Sequence, residues 1–354
     1  MTGRERVHRC LEFDRPDRVP RDVWLLPIAR MNNGDAAMAA FAERWPVDFA
    51  RPEIVNPAVR ALQQGDAYAV GQHRDEWGCT FENALAGVIG QVKQPILDDW
   101  SKLADVRPPV EVLEVDVEAV NRVCAATEKF VIADCYPRPF ERMQFLRGTE
   151  ELFIDLAVDA PEVRDLLDLV HDLNCRELEA WARTRVDGLM FMDDWGSQQS
   201  LLIAPKLWRR MFKPLYADYV RIAHEAGKKI FMHSDGCILD IYEDLIEIGV
   251  DAVNSQLFCM DIEQIGRRFA GRITFWGEID RQHVMPSDSP EDAREAVRRV
   301  VDCLYRPEGG VIAQFELGAD SKLANADAVF QTWQDLTGSA TASSSQRREP
   351  PHPG

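Results

Sequence analysis

The sequence predicts an α/β protein, a (β/α)8 TIM-like barrel that carries an N-terminal elaboration. Three observations support this fold class. Short runs rich in β-branched residues alternate with longer amphipathic stretches, which is the pattern of repeated strand–helix units around a parallel sheet. The 354 residues, 46% of them hydrophobic, are enough for one large core. Polar residues, most of them acidic, follow the strands at the same position in one unit after another.

The strand–helix alternation is clearest after residue 128. An early strand is predicted over 18–25, and the later strands are predicted over 130–133, 188–192, 229–232, 251–253, 272–276 and 310–313. The predicted helices cover 161–183, 204–226, 238–248, 262–269, 290–304 and 325–336. Pro205 and Pro214 suit first-turn positions, and Gly249 suits the end of a helix. Eight such steps would close a barrel.

The two ends of the chain are less regular. Residues 31–109 are punctuated by Pro, Gly and Trp, and we interpret them as an elaboration with a hairpin around 79–92 rather than a separate domain. The barrel domain is predicted to span 1–338. A disordered C-terminal tail is predicted over 339–354, because that segment lacks apolar periodicity and is rich in Ser, Pro and Arg.

Composition narrows the cellular setting and the partners. With 59 acidic and 41 basic residues the net charge is -18, which repels nucleic acid and anionic membranes, so neither is predicted as a partner. No stretch approaches the roughly 20 apolar residues that span a bilayer, and the N-terminal residues are charged, so a cytoplasmic protein is predicted. The eight cysteines form no CxxC pair, which fits reduced thiols.

The candidate catalytic groups are the polar residues that follow the strands, because the βα loops of a barrel converge at that end. A solvated loop has no reason to place its charges at that one position each time. The residues are Asp134, Asp193, Asp194, His233, Asp235, Asn254, Gln256, Glu278, Asp280, Gln314 and Glu316.

His233 is the centre of the predicted chemistry. It ends a strand in the segment FMHSDG, with Asp235 two residues further on. Residues at i and i+2 of an extended segment point the same way, so both side chains can reach one cation. The alternatives are that His233 is a hydrogen-bonded structural residue and that Asp235 caps the helix that begins near residue 238.

The carboxylates after the other strands complete the predicted site. Glu316 and Glu278 can each act as a third ligand, as a general acid or base, or as a salt-bridge partner. We assign His233, Asp235 and Glu316 as metal ligands. Catalytic roles are assigned to Asp194, Asp134 and Glu278. Crowded carboxylates raise one another's pKa unless a cation or shared protons relieve the repulsion, and a divalent metal is one way to provide that relief.

Three segments resemble the uroporphyrinogen decarboxylase superfamily. The first is KKIFMHSDGCILDIYEDLIEIGVDAVN, which resembles a signature in which a strand ends in His-Ser-x-Gly before a helix and Gly-Val-Asp. The second is DDWGSQQSLLIAPKLWRRMFKPLY, similar to the preceding block, and the third is GGVIAQFELG, similar to the last strand. The likeness spans roughly residues 1–338, which implies one barrel domain over that range.

The sequence departs from both large branches of this superfamily. The porphyrinogen decarboxylases have an Arg-rich N-terminal segment for substrate carboxylates, whereas VWLLPIARMNNG offers only Arg30, so we expect no useful turnover of uroporphyrinogen. The corrinoid-dependent methyltransferases bind zinc through His-x-Cys and a later Cys. Here Asp235 and Glu316 stand in place of those thiolates, which opens the site to manganese or iron as well as zinc.

The resemblance implies an enzyme nearer the methyltransferase-like branch. The first hypothesis is a metal-dependent methyltransferase-like enzyme, with zinc as the first candidate metal, that acts on a small molecule or a corrinoid-bound methyl group. Its expected partners are a small-molecule substrate, a corrinoid protein and a second copy in a homodimer. The alternative is a metal-independent decarboxylase with proton delivery from Asp134, Asp194 or Glu316. A non-catalytic barrel is disfavoured, because unpaired buried carboxylates are costly.

Overall fold

The computed structural model describes residues 1–338, where the chain is an α/β fold around a parallel sheet curled into a half-barrel. Its strands are β1 (Arg21–Leu25), β2 (Phe49–Ala50), β3 (Gly71–Arg74), β4 (Thr80–Asn83), β5 (Gln91–Gln94), β6 (Phe130–Val131), β7 (Gly188–Met192), β8 (Lys229–Ser234), β9 (Ala252–Ser255), β10 (Thr274–Trp276) and β11 (Val311–Leu317). The main sheet has the order β1-β11-β10-β9-β8-β7 and is parallel throughout. The predicted tail over 339–354 lies outside the described residues.

The helices connect these strands. They are α1 (Gly3–Leu11), α2 (Pro27–Asn33), α3 (Asp35–Arg44), α4 (Pro57–Leu62), α5 (Val117–Ala126), α6 (Pro139–Arg147), α7 (Thr149–Ala157), α8 (Pro161–Ala182), α9 (Pro205–Met211), α10 (Lys213–Glu225), α11 (Tyr242–Ile248), α12 (Ile262–Phe269), α13 (Pro290–Leu304) and α14 (Leu323–Thr337). The helical stretch predicted over 204–226 is two helices, which meet at Phe212. Pro205 and Pro214 lie in their first turns, as predicted.

Two further strands continue the parallel pairing beyond the main sheet. β2 pairs with β6, and a single bridge between Ile132 and Gly188 joins the end of β6 to β7. On the other side, the backbone N–H of Asp48, just before β2, donates to the carbonyl of Arg21 in β1 at 2.9 Å. The early strand and the six later strands are found where the sequence predicts them, whereas the two-residue β2 was not predicted.

The sheet separates two apolar cores. In β8, Phe231 packs on the concave face with Phe130, Met190 and Trp276, whereas the alternate residues of the strand pack against the helices. The alternation follows from the period of two in a strand. Full burial of one such side chain contributes about 1.5–3 kcal/mol. Most residues of the parallel strands are therefore apolar on both faces of the sheet.

Three strands run further than predicted: β9, which ends at Ser255, and the two strands that carry predicted metal ligands, β8 and β11. β8 includes His233 and ends at Ser234, and β11 includes Glu316 and ends at Leu317. Glu316 therefore lies within a strand and not in the loop after it. The reason is that β1 pairs with β11 up to its last residue, so that Trp24 lies opposite Glu316.

The N-terminal elaboration contains an antiparallel sheet of β3, β4 and β5. The hairpin predicted around 79–92 corresponds to β4 and β5. The third strand, β3, is polar and largely exposed, and it was not predicted because it lacks the alternation of apolar and polar residues that indicates a strand. Across residues 1–338 we find no helix with the length and apolar character needed to cross a membrane.

Candidate active site at the carboxyl ends of the strands

The candidate site lies where the neighbouring strands β7 and β8 end. β7 stops at Met192, so Asp193 and Asp194 come directly after it. In β8, His233 lies opposite Met192, and Asp235 follows the end of the strand. Because the two strands are parallel, their carboxyl ends bring these polar residues to the same rim of the sheet.

A hydrogen-bond network orients the imidazole of His233. The amide nitrogen of Asn254 donates to the carbonyl of Trp276 at 2.5 Å and to Oε1 of Gln314 at 2.9 Å. The amide oxygen of Asn254 is thus an acceptor, and it lies 2.7 Å from Nδ1 of His233. Nδ1 therefore carries a proton, and when the ring is neutral Nε2 presents a lone pair. A partner of this kind fixes the tautomer of metal-binding histidines.

Nε2 of His233 faces two carboxylates. Oδ1 of Asp194 and Oδ1 of Asp235 each lie 3.6 Å from it. The three side chains offer ligand atoms that all lie within 4.8 Å of one another. Oδ1 of Asp235 is buried and has no hydrogen-bond partner within residues 1–338. One imidazole nitrogen and two carboxylate oxygens are donors that zinc, manganese and iron accept, so these residues fit a divalent cation.

Arg281, which the sequence reasoning missed, joins the remaining acids to this group. Its guanidinium hydrogen-bonds to Oδ2 of Asp235, and it lies 3.9 Å from Oε1 of Glu278 and 3.5 Å from Oε2 of Glu316. Because Oδ2 of Asp235 is held by Arg281, the other carboxylate oxygen is left to face His233. The available signal was the segment WGEIDR, in which Arg281 follows Glu278 by three residues.

Two of the carboxyl groups around Arg281 have a raised pKa. Burial, together with the negative charges of Asp235 and Glu316, raises the pKa of Glu278 to about 8, against the opposing effect of Arg281. Burial also raises the pKa of Glu316, again opposed by Arg281. Glu278 is therefore a protonated acid at neutral pH, and the site holds a proton donor beside a fixed cation.

Asp193 adjoins Asp194 in the chain but faces the protein interior. It is fully buried, and its carboxylate accepts the backbone N–H groups of Phe140 at 2.9 Å and Glu141 at 2.8 Å. The hydroxyl of Tyr216 donates to it at 2.7 Å. Asp193 thus fixes the first turn of α6 against the sheet, which is a structural role.

Glu141, in that first turn, is a second acid that the sequence reasoning did not select. Burial raises its pKa to about 7, against the opposing effect of Arg138, which lies 3.8 Å away. The charges of Asp194 and Asp235 contribute to this raised pKa, and His233 opposes them. Glu141 is therefore close enough to sense the charge of the His233 group, although nothing in the alternation of strands and helices marks it.

Asp134 lies in different surroundings. Its carboxylate accepts a hydrogen bond from the hydroxyl of Tyr136 at 2.7 Å, and it lines a cavity of about 950 Å³ between the end of β6, α8 and the elaboration. Within residues 1–338 it has no hydrogen bond or ion pair with His233 or with Arg281. The structure thus brings three of the predicted site residues together, joins Glu278 and Glu316 to them through Arg281, and places Asp134 apart.

Two other polar residues at the strand ends stabilise loops. The side-chain oxygen of Gln256 accepts the backbone N–H of Gly236 at 3.1 Å. The carboxylate of Asp280 accepts the N–H groups of Gln282 and His283 at 2.8 and 2.9 Å. Their positions at the rim therefore support the loops that carry Asp235 and Arg281.

Comparison with known proteins identified one matching family and several solved structures with a similar fold. The model of the uroporphyrinogen decarboxylase (URO-D) family matches residues 75–335. A search of curated protein sequences gave no match. A solved structure of a methyltransferase from Methanosarcina mazei has a TM-score of 0.64 at 12% identity, with 95% of this chain and 99% of that chain covered. A B12-independent methionine synthase from Shewanella sp. W3-18-1, in complex with selenomethionine, has a TM-score of 0.46 at 10% identity, with 91% and 95% covered.

At these identities the likeness to the methyltransferase shows a shared fold, and the likeness to the methionine synthase is too remote to support an argument. The family match is of a different kind, because it covers well over half of the chain and includes the strands β7 to β11. It confirms the resemblance seen in the segment around His233 and in the last strand. The chain belongs to the uroporphyrinogen decarboxylase (URO-D) family.

Proposed function

We propose that this protein is a metal-dependent, methyltransferase-like enzyme that acts on a small molecule, with the cation held by Asp194, His233 and Asp235. The observation that carries the proposal is the orientation of His233, whose Nε2 lone pair faces two carboxylate oxygens at 3.6 Å. One of those oxygens, Oδ1 of Asp235, is buried without a hydrogen-bond partner in the described chain. A buried acceptor in that position is stabilised by a cation.

The proposed ligand set takes Asp194 in place of Glu316. Glu316 was the third ligand expected from the sequence, but its carboxylate lies against Arg281, and the group of mutually close ligand atoms contains Asp194 instead. Zinc is the first candidate, with manganese and iron as alternatives, because two of the three donors are hard carboxylate oxygens. A divalent cation there would lower the pKa of a methyl acceptor or polarise a leaving group.

The chain's own residues have defined tasks in this proposal. Asn254 keeps Nδ1 of His233 protonated and so keeps Nε2 available. Arg281 balances the charge of Asp235 and Glu316. Glu278, neutral at pH 7, can deliver a proton at the rim. The methyl group in this proposal comes from, or goes to, a corrinoid held by a partner protein, as in the branch that the sequence resembles.

Metal analysis of the purified protein tests the ligand set. Protein prepared without chelator and incubated with zinc should retain about one equivalent, and His233→Ala and Asp194→Asn should each weaken metal binding by tenfold or more, on the order of the losses caused by perturbing a metal site. Glu316→Gln should leave metal affinity within about twofold of wild type, as should Asp240→Asn on the nearby surface. Full occupancy in both His233→Ala and Asp194→Asn would contradict the proposal.

A second candidate function is favoured by the pairing of Arg281 with the neutral acid Glu278. In a metal-independent decarboxylase, the guanidinium would bind the substrate carboxylate, and Glu278 would protonate the carbanion left when CO2 departs. This function predicts activity that survives exhaustive chelation and the change His233→Ala. The metal-dependent function predicts that both treatments abolish activity together.

We also infer that eight parallel strands close into a (β/α)8 barrel. Support comes from the bridge between Ile132 and Gly188, which joins β6 to β7, and from the hydrogen bond between Asp48 and Arg21, which joins the start of β2 to β1. A closed sheet would bring the carboxyl ends of all eight strands to one mouth. The stability of Asp48 variants tests the junction between β1 and β2 on which this closure depends.

A further inference from the structure

The cavity that contains Asp134 is distinct from the group around His233. It has a volume of about 950 Å³, which is within the range of small-molecule sites. Its walls come from the segment 54–60, the turn before β4, the loop after β6, and α8. It lies between the elaboration and the curled sheet, so the elaboration completes it. None of the metal ligands proposed above lines it.

Glu177 is the unexplained group in this cavity. It lies on α8 and lines the cavity wall, and it makes no hydrogen bond or ion pair with any side chain in residues 1–338. The nearest charged groups are two acids, Glu76 and Asp134, and two bases, Arg142 and Arg138. Burial, together with the two acids, raises the pKa of Glu177 to about 8, and the two arginines oppose the change. A carboxylate placed there is costly without a cation beside it.

The arginines near Glu177 are already engaged. Arg142 is buried and paired with Asp75 at 2.5 Å and with Glu76 at 3.4 Å, and its guanidinium stacks on Trp77. Arg138 lies 3.8 Å from Glu141. Arg60, at the rim, donates to the backbone carbonyl of Gly65 and to Gln63. The acidic residues of the lining outnumber the basic ones, and they are Glu76, Glu114, Asp116, Asp134 and Glu177.

An aromatic surface lies beside the unpaired acid. Trp181 follows Glu177 by one helical turn, so the two side chains share a face of α8. Its indole takes part in no ring–ring or cation–ring contact among the described residues, although it is nearly buried. Leu173 and Val115 extend the apolar part of the wall. A carboxylate next to an indole that lines the same cavity is an arrangement that recognises organic ammonium groups.

We propose that this cavity binds a small organic ammonium ion with an apolar body, whose charge lies near Glu177 and Asp134 and beside the indole of Trp181. The site is independent of the proposed metal site, so the two proposals can fail separately. An anionic ligand does not fit, because it would face Glu177 and Asp134 while the neighbouring arginines are held by Asp75, Glu76 and Glu141.

Calorimetric titration with benzyltrimethylammonium tests the proposal, because this probe keeps its charge at every pH. Benzyl alcohol and phenylacetate serve as the neutral and anionic comparisons. The cation should bind at least tenfold more tightly than either comparison. Its affinity should rise between pH 6.5 and pH 9 as Glu177 loses its proton, because only the carboxylate form attracts the cation. Equal binding of all three probes, or no binding of the cation, would overturn the proposal.

Matched variants on one helix locate the site. Glu177→Gln keeps the size of the side chain and should weaken benzyltrimethylammonium binding by about tenfold and remove its pH dependence. Glu179→Gln, on the exposed side of α8, should leave both unchanged. Trp181→Leu should weaken binding severalfold without altering the pH dependence. Unchanged affinity in Glu177→Gln, with thermal unfolding like that of wild type, would contradict the assignment.

Discussion

Glu278 is the residue at which the protein most clearly changes the chemistry of a single side chain. It is almost completely buried, its carboxyl lies 3.9 Å from Arg281, and its pKa is raised to about 8, first by burial. In the unfolded chain this carboxyl returns to its ordinary pKa of 4.5. Between pH 4.5 and about pH 8 the folded protein holds a proton that the unfolded chain releases. The contribution of Glu278 to the free energy of unfolding is therefore largest at the acidic end of this range and decreases as the pH rises.

This difference gives a prediction for the residue scale. In chelator-treated protein, the free energy of unfolding should lose up to about 1.4 kcal/mol per pH unit from Glu278 between pH 4.5 and pH 8. Glu278→Gln resembles the neutral acid and should remove that part of the pH dependence, so the stability of the variant should increase relative to that of wild type as the pH rises. Urea unfolding at pH 5, 6.5 and 8 measures the free energy of unfolding of both proteins. Glu295→Gln, exposed on α13, is the control, and identical slopes for wild type and Glu278→Gln would refute the prediction.

Single residues of the site differ in how far the sequence could predict them. His233 and Asp235 could be predicted as a pair, because their i, i+2 spacing at a strand end brings both side chains to one side. The contact of Asp194 with them could not be ranked above that of Glu316, since it depends on where the loop after β7 turns. Arg281 lies in an irregular loop after β10, where the sequence has no periodicity from which the direction of a side chain could be predicted.

At the scale of elements, the loops after β7 and β8 are joined by backbone hydrogen bonds. The N–H of Gly196 donates to the carbonyl of Asp235 at 3.0 Å, and the N–H of Cys237 donates to the carbonyl of Ser197 at 2.8 Å. Gly236 has φ of +78°, and a Cβ there would lie 2.0 Å from the carbonyl oxygen of Gly196. Only glycine allows this approach, which holds Asp235 beside the loop that carries Asp194.

The prediction for this pair of loops is that Gly236→Ala forces them apart. We expect the free energy of unfolding to fall by about 1–3 kcal/mol more than in Gly227→Ala, because added atoms in a closely packed place displace the backbone. Gly227 is the matched control, since it also has positive φ, +68°, but nothing lies within 4 Å of its added Cβ. Zinc affinity should fall in Gly236→Ala alone. Equal stability and equal zinc affinity of the two variants would count against a role for the contact.

Elements with a long apolar period were predicted with accurate bounds, whereas the short strands β2 and β3 were not predicted. The apolar stripe of α8 and the run in β7 were found from the sequence within one residue at each end. β2 has two residues, Phe49 and Ala50, too few to show any period, and it is defined by its pairing with β6. β8 and β11 extend beyond their apolar runs because their neighbours continue the hydrogen-bond ladder past the last apolar residue.

At the scale of the whole molecule, Asp48 links the two ends of the curled sheet. Its buried carboxylate accepts hydrogen bonds from the guanidinium groups of Arg6 at 2.5 Å and Arg18 at 2.8 Å, and from the backbone N–H of Arg21 at 2.8 Å. Its own N–H donates to the carbonyl of Arg21. The apolar pattern predicts the strands but not this junction, because a polar network between α1, β1 and β2 leaves no period in the sequence.

The last prediction concerns this junction. Asp48→Ala should lower the free energy of unfolding by about 3–5 kcal/mol, because it leaves the buried guanidinium of Arg6 with one carboxylate fewer and removes the acceptor for the N–H of Arg21. Asp17→Ala removes the other carboxylate partner of Arg6, which is more exposed, so its effect should stay below about 1 kcal/mol. Urea unfolding measures both. If the two variants lose similar stability, Asp48 acts as an ordinary partner of Arg6. If Asp48→Ala loses far more, and amide protons of β1 and β2 exchange faster than those of β8 and β9, the junction between β1 and β2 closes the sheet.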